Sequence, residues 1–545
     1  MPTRGDARFT ALASISRGMM NLRQRAAATE IATLIIVLLL ALSLRLYRLV
    51  PPEQGLRYAQ DADEGAYLTS AQLMLQGYLP YRDFFAVIPP VALHLFAAIL
   101  RLTYTPWGSP SGFMAVRYLC VAMGTVSVLV TYLIGRKVGG RWAGLLAAFL
   151  VAVDGIVVAQ DRRAMLEAPS NLFTLLALFA YLGAIESEKR LPLAAAGVCS
   201  TLALLSKGTA LIVPVLIVLH VLLQRRFRAL LIFAATVAVT YLLLAGYFLI
   251  TCPEQYLKQM YLFHLLRPPD GTVGIIARLI EIWNYTWSWL TVRLGLLGLV
   301  FAILTLRQDG QREQWLVIIG WGVTALLLNL VSRTYWATYF SQLAFPLAVW
   351  AGGLLSDRFA NLKIAKMPLP YFQVGLIALV CVLGAGNLVR QAKATRDALC
   401  QIKPVHLEMA AVLRDQVPEG ASVLVFEPNY TFLSSRPLAG LRDGGFFVDS
   451  YGEMLYINLG MANTPLFALS GRTNEDNEAN AIDVFHRQPA QDAILALFQS
   501  SDYVVLDART ARQLSSDTQA YILAHSQLVA STSGATLRAR LSEQE

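Results

Sequence analysis

Apolar residues run in long blocks along this chain, and polar residues collect between the blocks. Residues 31–50 carry charge only at Arg45 and Arg48; 191–223 holds a single charged residue, Lys207, and 229–250 holds none. A hydrocarbon core of about 30 Å is crossed by roughly 20 apolar residues in a helix, and burying ions in it is costly enough to keep such runs free of charge. The pattern predicts about eleven transmembrane helices, at 31–50, 113–135, 141–159, 170–186, 191–206, 209–223, 229–250, 286–306, 314–331, 337–355 and 371–390.

The gaps decide orientation. The 1–30 tail carries Arg4, Arg8, Arg17, Arg23 and Arg25, and alternate loops carry Arg136, Lys137 and Arg141; Lys189 and Arg190; Arg225, Arg226 and Arg228; Arg307 and Arg312; Arg358, Lys363 and Lys366. One assignment puts them all in the cytoplasm. It requires 87–104, which contains Pro89-Pro90 and His94, to lie along the outer surface and not to span. The chain then divides into a cytoplasmic tail (1–30), a transmembrane domain (31–390) with a long first outer loop (51–112), and an extracytoplasmic segment (391–545). Shorter loops at 160–169 and 251–285 also face outward. In the C-terminal segment, β-rich runs at 422–426 and 503–506 alternate with helical patterns at 406–414 and 490–498, which predicts a small soluble α/β domain.

Composition agrees. The chain is 56% hydrophobic and 15% charged, against about 25% charged in soluble domains. The net charge of +9 would suggest nucleic acid in a soluble domain; here the basic residues sit in short loops, so no nucleic-acid partner is implied. Six histidines and no HExxH motif exclude a zinc hydrolase of that kind.

Candidate chemistry lies in the outer loops. The first holds Asp61-Ala62-Asp63-Glu64-Gly65-Ala66-Tyr67. Read alone, these acids suit the N-terminus of a helix over 65–75; read as chemistry, they offer a general base for an attacking hydroxyl. The 160–169 loop holds Arg162, Arg163 and Glu167: headgroup-level arginines, or a second acid with two phosphate ligands. Lys207 sits between two apolar halves, His264 and Arg267 lie one helical turn apart, and Arg333 and Tyr339 frame the start of a later span. Cationic and polar groups facing acids on one side of a membrane can hold a phosphate leaving group while a carboxylate activates an acceptor.

The order of these motifs resembles a family. Asp63-Glu64 follows the first span; then come Tyr81-Arg82-Asp83-Phe84-Phe85, Pro89-Pro90, Leu166-Glu167-Ala168-Pro169, Ser206-Lys207-Gly208, His264 with Arg267, and Tyr339 before Phe345-Pro346-Leu347. Over roughly residues 30–355 this is similar to the membrane glycosyltransferases of the GT-C fold, in the protein-mannosyltransferase-like and aminoarabinose-transferase-like group. The resemblance implies Asp63, beside Glu64, as catalytic acid, Glu167 as second acid, and Lys207, His264 and Arg267 as ligands of the lipid phosphate. Tyr67, Arg162, Arg163, Arg333 and Tyr339 complete the expected substrate site. It further implies inverting transfer from a polyprenyl-phosphate sugar donor to a lipid, glycan or protein acceptor. Asp63 and Glu167 are the pair that would hold a divalent metal ion (Mg, Mn or Zn) if one is used. The setting expected is a bacterial inner membrane, with the site facing the periplasm. One departure stands out: the aminoarabinose transferases carry a lysine where this chain has Ile88, so the phosphate grip differs. The competing readings are a polytopic transporter, which should show repeated halves that this sequence lacks, and a non-catalytic envelope protein that binds lipid carriers.

Overall fold

The computed structural model describes residues 4–47, 49, 62–103, 105–285, 288–306, 312–356, 405–440, 445–466 and 484–541, with scattered helical positions between 375 and 393. Asp61, most of the expected span at 371–390 and residues 394–404 lie outside the described residues. Helices dominate. α1 (Arg4–Leu46) is followed by α2 (Ala62–Leu75), α3 (Pro90–Leu102), α4 (Pro110–Gly139), α5 (Arg141–Ala152), α6 (Gly155–Asp161), α7 (Glu167–Ser187), α8 (Arg190–Leu204), α9 (Ile212–Leu223), α10 (Phe227–Thr251), α11 (Ile275–Asn284), α12 (Trp289–Thr305), α13 (Arg312–Val331) and α14 (Phe340–Gly352). Each expected span from 31–50 to 337–355 finds a helix at its place. α1 begins at Arg4, and its apolar span is Gln24–Leu46.

Among the described residues, five helices are long and apolar enough to cross a membrane, or up to seven if the bent pairs α5–α6 (64°) and α11–α12 (109°) each count as one span. The first bend has a local cause. Asp154 ends one segment and caps the next, its Oδ1 accepting from the amides of Ile156 and Val157, as an N-cap carboxylate does. α3 is 13 residues long, about 20 Å at 1.5 Å per residue, which is short of the hydrocarbon thickness.

The helix ends sort into two groups. At one end, Arg136 pairs with Glu30 (3.1 Å), Lys137 with Glu186, and Arg226 with Glu313 (3.1 Å). The other end carries the loops that hold Asp63, Glu167, Lys207 and Arg267. There the loop at β1 (Asp270–Gly271) pairs in parallel with β2 (Thr334–Tyr335).

The C-terminal domain caps this second end. Its four-stranded sheet has the order β3 (Val423–Leu424), β4 (Tyr503–Asp507), β6 (Ala535–Arg540), β5 (Ser526–Ser531). β3 and β4 are parallel, and β6 is antiparallel to both β4 and β5. Around it lie α15 (Val405–Gln416), α16 (Asn429–Ser434), α17 (Ser450–Asn458), α18 (Gln488–Ser500) and α19 (Ser516–Ala524).

Candidate active site

α2 opens on Asp63 and Glu64 in its first turn, where the positive end of a helix favours carboxylates. Neighbours in a helix point about 100° apart, and the two acids part company. Asp63 is exposed and accepts from the Tyr67 hydroxyl one turn on, at 3.3 Å. Glu64 is fully buried and held by the Arg117 guanidinium of α4, with Nε to Oε1 at 2.8 Å and Nη2 to Oε2 at 2.6 Å. The Ala164 amide donates to the same carboxylate at 2.8 Å. Both oxygens of Glu64, expected to be catalytic, are engaged by Arg117 and by the Ala164 amide. Glu64 ties α2 to α4 and to the loop before α7.

Glu167 is the first residue of α7. The Lys207 ammonium donates to its Oε1 at 2.5 Å, and its Oε2 is buried without a partner. Lys207 lies in the break between α8 and the 3-10 turn Gly208–Leu211, 4.7 Å over the Tyr339 ring. Burial works against its charge, but Glu167, Tyr339 and Asp63 all act in favour, and the balance leaves it above the usual lysine value. Asp63 is therefore within electrostatic reach of Lys207.

His264 and Arg267 follow α10. His264 presents exposed surface within a crevice crowded by protein. That crowding and the neighbouring Arg267 pull its pKa down to about 4, with Lys207 a smaller influence in the same direction. It is a neutral imidazole at pH 7, whose Nε2 lies 3.4 Å from the Val87 carbonyl. Arg267 donates from Nη2 to Asp270 at 3.3 Å and keeps Nε buried without a partner. Arg333 donates to the Arg267 carbonyl at 2.9 Å, so it shapes the loop.

The structure thus brings Asp63, Tyr67, Glu167, Lys207, Tyr339, His264, Arg267 and Arg333 to one end of the helices. Arg162 is turned away: it is buried and donates to the carbonyls of Leu44 (3.5 Å) and Tyr47 (2.5 Å) at the end of α1. Arg163 is half-buried beside it, its amide on the Gln160 carbonyl. Sequence reading missed Arg117, although a lone arginine inside an apolar run calls for a buried partner. It also missed Asp270 and Tyr451, for which no local pattern exists.

Of the pair expected to hold a divalent ion, Glu167 has its Oε1 on the Lys207 ammonium and its Oε2 buried without a partner, and Asp63 is exposed. Among the described residues no group of three His, Cys, Asp or Glu side chains is placed to hold a metal.

Residues 35–265 match the family model described as dolichyl-phosphate-mannose-protein mannosyltransferase. No curated protein matches. ArnT from Cupriavidus metallidurans in the apo state superposes with a TM-score of 0.59 at 14% identity, covering 94% of this chain and 98% of that one. The same protein bound to undecaprenyl phosphate gives 0.56 at 14%, covering 95% and 98%. The Archaeoglobus fulgidus oligosaccharyltransferase in the apo form gives 0.55 at 13%, covering 94% and 75%; its complex with Zn and sulfate gives 0.51 at 13%, covering 94% and 74%. At such identities the likeness establishes the fold. It is the GT-C fold of integral membrane glycosyltransferases, with a soluble domain after the helices.

Proposed function

We propose that this chain, having the GT-C fold, is a membrane glycosyltransferase that moves a sugar from a polyprenyl-phosphate donor to an extracytoplasmic lipid, glycan or protein acceptor, with inversion. The observation that carries the reading is that the exposed carboxylate Asp63 acts electrostatically on Lys207, itself paired with Glu167.

The donor's lipid tail lies between helices open to the outer leaflet. Its phosphate meets the Lys207 ammonium, which spends one of its three donors on Glu167, and the buried Nε of Arg267, a donor without a partner. His264 contributes a neutral N–H, since its pKa is near 4. The acceptor hydroxyl comes from the aqueous side, beneath the C-terminal domain. Asp63 takes its proton as the oxygen attacks the anomeric carbon, and the bond to the lipid phosphate breaks. Phosphate leaves as a stable anion, so no strong general acid is needed. Lys207, paired with Glu167, places a positive charge beside the departing phosphate. The setting of this reading is a bacterial inner membrane with the site on the periplasmic face, in keeping with basic loops on the opposite face.

The test is transfer by purified protein, wild type against Asp63→Asn, over a panel of polyprenyl-phosphate sugars. Asp63→Asn should lower turnover by about 10²–10⁴-fold, the usual worth of a positioned base, while donor binding and thermal stability persist. Equal product from both proteins removes Asp63 as the base. Donor binding without product from either leaves a carrier-binding protein.

A further inference from the structure

The C-terminal domain touches the candidate site from two sides. On the acid side, α16 is a six-residue helix with every residue buried, driven between α2 and the loop before α4. Its Phe432 ring packs against Phe113 at 6.2 Å between centroids and so closely on Gly108 that a Cβ there would come within 2.5 Å of it. Asn429 at the head of the helix meets α2 at Gly65, where a Cβ would lie 2.5 Å from the Asn429 amide nitrogen and 2.8 Å from its side-chain oxygen. Gly65 is two residues from Asp63. Asn429 is in turn held from behind: its Nδ2 donates to the buried Glu427 at 2.6 Å, and Arg509 anchors Glu427 at 3.2 Å.

On the phosphate side the contact is a shared oxygen. The Tyr451 hydroxyl of α17 donates to Asp270 Oδ2 at 2.7 Å, and Arg267 reaches that same oxygen at 3.3 Å. A carboxylate that already accepts from a tyrosine pulls less strongly on the guanidinium. Tyr451 therefore sets how far Arg267 is drawn to its own loop and how far it projects towards a phosphate.

We propose that the C-terminal domain completes the active site by clamping its two sides, with Asn429 as the positioning residue for the acid-bearing helix and Tyr451 as the positioning residue for the phosphate-side loop. The inference rests on the glycosyltransferase reading and extends it, because the two contacts act on different steps. Asn429 reaches the proton acceptor and leaves the donor lipid alone. Tyr451 reaches a ligand of the donor phosphate and leaves Asp63 alone.

The full-length protein in detergent or nanodiscs is assayed as wild type, Asn429→Ala and Tyr451→Phe, with kcat and donor KM from transfer and Kd for undecaprenyl phosphate measured without turnover. Asn429→Ala should lower kcat about tenfold or more, with Kd unchanged. Tyr451→Phe should raise both donor KM and Kd about tenfold, the scale of one hydrogen bond to a charged group, with kcat within about twofold. Should Asn429→Ala fail to accumulate, Asn429→Ser, which keeps a polar group there, is read in the same way. Wild-type values in either variant overturn the clamp. So do kcat and KM shifts that move together in both variants in step with a lowered Tm, the mark of a merely structural role. A wild type that neither binds undecaprenyl phosphate nor transfers sugar sinks the glycosyltransferase reading, and the clamp with it.

Discussion

Adjacent carboxylates with opposite fates show how position within a helix decides chemistry. Glu64 turns inward and meets Arg117 with both side chains at 0% exposure. Removing one partner of a buried pair leaves an unpaired charge, at about 3–5 kcal/mol. Glu64→Ala should therefore lower stability by about that amount in a thermal melt, and the double change Glu64→Met with Arg117→Met should recover most of it. Lys207→Ala should weaken donor binding and strand Glu167; unchanged affinity for a polyprenyl phosphate would remove Lys207 from the site. His264 makes a pH prediction. Its folded pKa, about 4, is below the unfolded value of about 6.5, so between those values the unfolded chain binds the extra proton. Stability from this group is full above about pH 6.5 and falls as pH drops towards 4. His264→Gln should flatten that part of the pH–stability curve; an unchanged slope would show that His264 titrates normally. At this scale the sequence singled out Asp63, Glu167, Lys207, His264 and Arg267 as polar groups beside apolar runs. It did not show which way each side chain turns. The burial of Glu64 and Arg162 depends on partners more than 50 positions away, Arg117 and the end of α1.

Helices are the elements that apolar runs announce most clearly, and every expected span up to 337–355 has its helix. Breaks inside runs are harder to see, because a bend at Asp154 or between α11 and α12 leaves the mean hydropathy almost unchanged. One such element is fixed by a single side chain. Arg278 of α11 donates to the carbonyls of Asn329, Leu330 and Ser332 at 3.0, 3.0 and 2.6 Å, and so satisfies the end of α13, whose last carbonyls lack partners within the helix. Arg278→Met should lower Tm and loosen the 267–274 loop, seen as faster amide exchange there; exchange at the wild-type rate would deny it that role. α16 was not legible either. Asn429-Tyr430-Thr431-Phe432-Leu433-Ser434 follows a proline and reads as a turn, and only the fold reveals that it is buried. Its contact can be tested from the other side. Gly65→Val should push α2 off α16 and lower turnover at least tenfold, since the Asn429 backbone at 2.5 Å has little room to yield. The β5–β6 hairpin escaped notice too, its alternation being weak in Ser526-Gln527-Leu528-Val529-Ala530-Ser531.

For the whole molecule, the two groups of helix ends predict an orientation. Basic loops and their ion pairs with Glu30, Glu186 and Glu313 mark one face; the site and the C-terminal domain mark the other. Excess Lys and Arg remain on the cytoplasmic side. A cysteine at Gln527 should therefore react with a membrane-impermeant maleimide in intact cells, and one at Glu188 only after permeabilisation. The reverse pattern would invert the topology and move the site to the cytoplasm.

Because α16 is wedged beneath α2, the order of synthesis matters. Asp63 leaves the ribosome hundreds of residues before Asn429, and β6, which lies between β4 and β5, is made later still. If the clamp holds, a nascent chain whose helices are already in the bilayer lacks the piece that seats Asp63. Turnover would then begin only once the closing segment has folded, a delay that would spare the carrier lipid from half-made copies.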